Sequence, residues 1–230
     1  MKIVFNLFLV SSAVLSAGQL ALGQGTFQNL NFESANVPSI PSDHTTQVLT
    51  SDALPGWTAY AGTNQLLQIW YNGISAGSAS VGLIDRHTYI WGEDVIGGNF
   101  TVTISAGINP DRTGDSSAAI AQSSLVPVWA NSLWFNASWT AGDLAITFEG
   151  VHIGFYPQYV GPNYTTYAGD ISAFRGRLGE LRFTEEPISS RFSTVLLDDI
   201  SFSVQSIPEP DMLRLFGLGA LLFGWRRLRR

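Results

Sequence analysis

The chain reads as an all-β protein, an antiparallel β-sandwich of jelly-roll type. Between residues 25 and 207 helical periodicity is nearly absent, while apolar and polar residues alternate with a period of two in one segment after another. Gly, Pro and Asn clusters punctuate that alternation at 71–73, 96–99, 108–111, 140–143 and 160–163. Alternation sends successive side chains to opposite faces of an extended strand, and such clusters turn the chain. Many short strands with no helix-length crossover point to two packed antiparallel sheets. At 230 residues, 45% hydrophobic and 13% charged, the chain can bury one sizeable core and is too apolar for a disordered polymer.

The elements follow in order. Residues 1–23 open with Lys2, continue through an apolar stretch at 3–15 and end in Ala21, Leu22 and Gly23 before Gln24. A positive start, an apolar run and a small-x-small site make a secretory signal peptide, cut between Gly23 and Gln24. Residues 24–206 are read as one domain. Candidate strands lie at 66–71, 79–84 and 89–91. At 100–105, Phe100, Val102 and Ile104 alternate with Thr101, Thr103 and Ser105, as expected of a strand with one buried and one wetted face. Strands are also expected at 132–138, at 144–148, around Leu181 and Phe183, and at 200–204. The stretch 155–167 is rich in Tyr, Gly and Pro without alternation and reads as a long loop. Asp170 is placed to cap a short helix at 171–174.

Residues 207–230 are a separate unit. Pro208, Glu209 and Pro210 stop whatever precedes them. An apolar run at 212–225, interrupted by Arg214, leads to Arg226, Arg227, Arg229 and Arg230. The run is shorter than the roughly 20 residues of an ordinary spanning helix, a shortfall that snorkelling of Arg214 partly relieves. The four terminal arginines would stay on the cytoplasmic side. This order resembles the PEP-CTERM sorting signal of exported bacterial proteins, with Ile207 in place of the usual valine and Arg214 as departures. The resemblance implies an exosortase-type sorting enzyme as partner and a precursor held in the inner membrane by a short transmembrane helix. It also implies a mature protein at the cell envelope, surface or extracellular matrix of a Gram-negative-type bacterium that makes exopolysaccharide.

Charge and composition remove several functions. Residues 25–207 carry six Arg and no Lys against 16 carboxylates, a net charge of −10. An acidic body without clustered cations is unsuited to nucleic acid or to other anionic polymers. With no Cys there is no disulfide, thiolate metal site or cysteine nucleophile. His44, His87 and His152 are scattered, and no serine elbow or phosphate loop occurs. Glu93-Asp94 and Glu185-Glu186 are neighbours in sequence, which says nothing about the separation a glycosidase requires. No catalytic residue is assigned, and the body is read as non-catalytic.

Asn29 to Glu33, then Gly56-Trp57, then Asp198-Asp199-Ile200 occur in the order found in galactose-binding-like jelly rolls, a group that includes many carbohydrate-binding modules, and the body resembles them. In such folds the first and last strands are neighbours. The resemblance therefore implies a structural calcium ion held by Glu33, Asp198 and Asp199, calcium being a cation that takes six to eight oxygens. Strict alternation puts Asp198 and Asp199 on opposite faces, so either a bulge re-aims them or only one of the two is a ligand. The other reading of the pair is a solvated acidic edge that discourages strand pairing.

Aromatic residues offer a sugar platform, because pyranose C–H faces stack on rings. Trp91, Trp134, Trp139, Tyr156, Tyr159, Tyr164 and Tyr167 are the surface candidates, while Trp57 and Trp70 suit the core. The expected function is an exported, sorted surface or matrix protein associated with exopolysaccharide. The alternatives are a carbohydrate-binding module and a polysaccharide-active enzyme. Ice binding demands a flat, regular Thr array, which the short Thr101/Thr103 alternation does not supply.

Overall fold

The computed structural model describes residues 26–207, apart from 42–43, 74, 76, 87–94, 109–113, 142 and 189–191; for 139–141 it describes the backbone. Both terminal segments, the 89–91 strand and Trp91 lie outside the described residues. The body is a two-sheet sandwich. In the larger sheet the strands run β1 (Thr46–Leu49), β4 (Gln68–Tyr71), β5 (Ser80–Asp85), β6 (Phe100–Ile108), β15 (Ser193–Ser203), β9 (Ser132–Ala141), β13 (Thr165–Asp170) and β12 (Phe155–Val160), with β7 (Asp115–Ser116) paired to the end of β6. The smaller sheet runs β11 (Val151–His152), β10 (Asp143–Phe148), β14 (Leu178–Glu186), β8 (Ala118–Leu125), β2 (Thr58–Ala61) and β3 (Asn64–Leu66). Every pairing in these two sheets is antiparallel except β4 with β5.

The inner faces meet as period-two patterning requires. Val102, Ile104, Val195 and Leu197 of the larger sheet, and Ile120, Ile146, Leu181 and Phe183 of the smaller, all belong to one fully buried cluster. Phe135 on β9 and Phe183 on β14 tie the layers together, with ring centroids 5.7 Å apart at 76°.

Three expectations change. The stretch 155–167 is not a loop but the β12–β13 hairpin, and its alternation is hidden by a register shift between Pro157 and Tyr159. The helix at 171–174 is a single 3-10 turn, Ser172–Phe174, entered where Asp170 accepts the Ser172 N–H at 2.7 Å. On β6, Thr101, Thr103 and Ser105 do alternate with the core residues, yet all three are buried. Past the end of β4 the chain lies over this face at Gly73. A Cβ on Gly82 would sit 2.9 Å from the Gly73 carbonyl and 2.6 Å from the Thr103 hydroxyl. The outer face of the larger sheet is therefore covered over β5 and β6 and open over β9, β13 and β12.

Candidate functional site: an aromatic and polar outer face

The N-terminal segment is positioned by the core. Asn29 and Phe32 both adopt left-handed backbone conformations, at φ 49° and 57°, so residues 29–34 coil instead of forming a strand. The Trp57 indole donates to the Asn29 carbonyl at 3.0 Å, and Phe32 packs on that indole with centroids 5.8 Å apart. The Ile200 N–H donates to the Leu30 carbonyl, which lays this segment beside β15. The expected neighbourhood of the first and last parts of the body is present, although the first part is a coil.

Glu33 is thereby delivered to the loop before β6. Its carboxylate accepts the backbone N–H of Asn99 at 2.6 Å, that of Phe100 at 3.0 Å and the Asn99 side-chain N–H at 2.8 Å. Asp198 is almost fully buried and holds the same loop from the other side. It accepts the Thr101 hydroxyl at 2.8 Å, the Gly97 N–H at 3.2 Å and the Asp199 N–H at 2.7 Å. Burial pushes the Asp198 carboxyl up to about 7; the Thr101 and backbone bonds oppose the rise, and the Asp199 charge adds to it. Asp199 has φ 49°, a conformation aspartate tolerates, and sits in a register break of the β15–β9 ladder between Asp198 and Ser201. Of the two alternatives the sequence leaves open, the bulge is the one observed, and Asp199 lies in it at the exposed surface.

These carboxylates do not fit the calcium ion that the jelly-roll resemblance implies. Six N–H or O–H donors face the oxygens of Glu33 and Asp198, which is the surrounding of an anion. A Cβ on Gly98 would lie 2.0 Å from Glu33 Oε1, so loop backbone already occupies the space in front of that carboxylate. Among the described residues, no three of His, Cys, Asp and Glu gather as a metal site.

The open outer face collects a different set. Opposed residues of an antiparallel pair share a face. One cross-strand row reads Tyr156, Ala168, Trp134 and Ser201; the next reads Tyr159, Thr166, Asn136 and Asp198. Tyr156 and Tyr159 are 43% and 60% exposed, enough for a ring face to meet a ligand. Beside them a groove of about 470 Å³ is lined by Trp134, Asn136, Thr166, Asp199 and Ser201, among others. The Trp134 indole N–H is anchored on Ser132 Oγ at 2.7 Å. A hydrogen-bonded chain runs along the groove: Thr166 donates to Asn136 Oδ1 at 2.7 Å, and Asn136 Nδ2 donates to Asp199 Oδ2 at 3.0 Å.

Of the seven aromatic candidates, the fold brings Trp134, Tyr156 and Tyr159 together. Tyr167 points inward, stacking on Phe135 at 5.5 Å and meeting Phe155 edge-on. Tyr164 folds over its own hairpin turn, its ring 3.2 Å from where a Gly161 Cβ would stand. The Trp139 side chain and all of Trp91 are outside what is described. Asn136 and Thr166 were not anticipated; in a strand sequence a polar residue on the solvent face carries no mark of function.

Residues 206–230 match the PEP-CTERM protein-sorting motif. No curated protein matches the chain. Among solved structures it is similar to a family 11 carbohydrate-binding module from Clostridium thermocellum in complex with a β-1,3-1,4-mixed-linked tetrasaccharide, at 11% identity and TM-score 0.36 over 72% of this chain and 98% of that one. The family 11 module of the C. thermocellum cellulosomal cellulase Lic26A-Cel5E aligns at 12% identity and TM-score 0.38, over 72% and 98%. The enzymatically active domain of bacteriophage CBA120 tailspike protein 4 aligns at 16% identity and TM-score 0.37, over 65% of this chain and 19% of that one. The chain is thus an all-β sandwich that ends in a PEP-CTERM protein-sorting motif.

Proposed function

We propose that this is an exported surface or matrix protein whose body binds polysaccharide through the outer face of β12, β13, β9 and β15. The observation that carries the reading is the placing of two exposed tyrosines and Trp134 beside the Thr166–Asn136–Asp199 chain. Rings supply stacking surfaces for C–H faces, and the amide, hydroxyl and carboxylate read sugar hydroxyls. The net charge of −10 on residues 25–207 favours a neutral glycan. Among the described residues the groove is lined by the carboxylate of Asp199, which on this reading accepts sugar hydroxyls and is not one of the two carboxyl groups a glycosidase needs. The tail supports sorting by an exosortase-type enzyme from a membrane-held precursor. Its apolar run at 212–225 would supply the anchor of that precursor; among the described residues no helix is long and apolar enough to cross a membrane.

The test is a glycan array probed with the full chain in detergent. Saturable binding to neutral glucans or related polymers, lost in Tyr156→Ala/Tyr159→Ala and weakened in Asn136→Ala, is the expected result. Folded protein that binds no glycan would leave a sorted structural protein without a sugar platform.

A further inference from the structure

We propose that, in the precursor, the pole of the sandwich formed by residues 126–131 and 175–178 lies against the membrane, with Val128 and Trp129 seated in the lipid interface. This rests on the reading that the tail holds the precursor in a bilayer. The chain leaves the body at this pole. Asn131 N–H donates to the Ser203 carbonyl, the Asn131 side-chain amide bonds the Val204 carbonyl, and Ser132 Oγ donates to the Gln205 carbonyl. From Ile207 only residues 208–211 separate the described body from the apolar run that begins at Met212. Four extended residues reach about 14 Å at most. The chain enters at the same pole, since Thr26 bridges Leu125 at the end of β8. Both membrane-directed segments therefore depart from one end of the sandwich, and that end cannot stand far from the bilayer.

Its surface chemistry suits an interface. Val128 is 70% exposed and Trp129 52%, on a turn closed by the Ala130 N–H to the Pro127 carbonyl, and Val204, just after β15 and bonded to Asn131, is 64% exposed. Leu178, opposite Leu125 in the β14–β8 ladder, adds a further exposed apolar side chain. Tryptophan with aliphatic neighbours is the composition that settles at headgroup level. Two of the body's six arginines, Arg175 and Arg177, are exposed here, one held by the Ala130 carbonyl and the other over the Phe174 ring. In an acidic body this is cationic surface turned toward anionic headgroups. The nearby carboxylates are engaged on the protein: Glu149 accepts the Glu180 N–H, Glu180 pairs with Arg182, and Asp170 accepts the Ser172 N–H.

Because the chain has no Cys, single probe sites are clean. The full chain would carry an environment-sensitive fluorophore on Val128→Cys, on Thr63→Cys in the β2–β3 turn at the far end of β8, or on Leu218→Cys in the tail. Each is reconstituted into vesicles of phosphatidylethanolamine and phosphatidylglycerol, with brominated lipid as quencher. The expected result is a blue shift and quenching at 128 and 218 but not at 63, with the shift at 128 diminished by Trp129→Asp. A probe at 218 in lipid and a probe at 128 in water would overturn the docked pole while the tether stands. Probes at both 218 and 128 in water would overturn the tether and the docking with it. A shift at 63 equal to that at 128 would also overturn it, as contact without orientation.

Discussion

The smallest unit that decides geometry here is a carboxylate facing a glycine. Gly98 has φ +53°, and the position its Cβ would take is 2.0 Å from Glu33 Oε1. Gly98→Ala must therefore meet both a left-handed backbone cost of about 1 kcal/mol and a steric clash. The clash disappears when Glu33 is shortened. A double-mutant cycle should show the cost of Gly98→Ala reduced in a Glu33→Ala background; additive melting shifts would mean the two do not touch. Since donors already satisfy Glu33 and Asp198, the melting temperature is expected to be the same in calcium and in chelator. A calcium-dependent rise abolished by Glu33→Ala would show that the carboxylates turn toward a cation instead. Glu185 is the opposite case: fully buried, with neither carboxyl oxygen hydrogen-bonded among the described residues. Burial lifts it to about 7 from 4.5, the nearby Ser193 hydroxyl opposes the rise without closing a hydrogen bond, and Asp143 and Glu186 add to it. A folded-state value above the unfolded one means that stability falls as pH rises from about 4.5 to 7 and stays lowered above that. Glu185→Gln should accordingly stabilise at pH 8, by up to about 3 kcal/mol at 1.36 kcal/mol per pKa unit, and do little at pH 4. Equal effects at both pH values would show that the group stays charged in the fold. Its placement was legible: the period of two that buries Leu181 and Phe183 continues to residue 185.

Among the elements, legibility followed the contrast between faces. β10 and β14 alternate large apolar with polar residues; the expected 144–148 nearly matches β10, while the strand expected around Leu181 and Phe183 extends to Leu178–Glu186. β8, running Ala-Ala-Ile-Ala-Gln-Ser-Ser-Leu, has too little contrast between small residues to be seen, although it is central in its sheet. β13, Thr-Thr-Tyr-Ala-Gly-Asp, carries too little apolar contrast to be seen, and in β12 the shift at Pro157 puts Tyr156 and Tyr159 on the same face three residues apart, which defeats a search for period two. That irregularity also builds the platform, so the functional face was hidden by the feature that creates it. The two faces of the hairpin should respond differently to truncation. Tyr167→Ala removes a ring packed on Phe135 and Phe155 and is expected to cost about 2–3 kcal/mol of unfolding free energy. Tyr156→Ala and Tyr159→Ala should stay within about 0.5 kcal/mol of the parent, because their rings face solvent. Chemical denaturation of the three variants decides it, and a Tyr156 or Tyr159 loss as large as that of Tyr167 would mean those rings are structural.

For the whole molecule, chain order and spatial order conflict in a consequential way. β15 is the last strand made, yet it lies in the middle of the larger sheet between β6 and β9. It also brings Asp198 to the loop before β6 and Ile200 to the Leu30 carbonyl, so three distant segments wait for it. A chain ending at residue 192 would leave two long strand edges unpaired and the inner face of β15 missing from the core, a state prone to association. Such a chain should melt without cooperativity, whereas one ending at residue 207 should melt at the temperature of the full chain. Cooperative unfolding of the shorter chain would mean that β15 merely adds to a sheet already closed. Because the matched sorting motif begins at residue 206, shortly after this strand ends at Ser203, the body cannot complete its sheet until nearly all of the chain before the tail has been delivered. Closure of the body and arrival of the tail are thus successive events at the same pole, with the finished sandwich held within a few residues of the segment that sorts it.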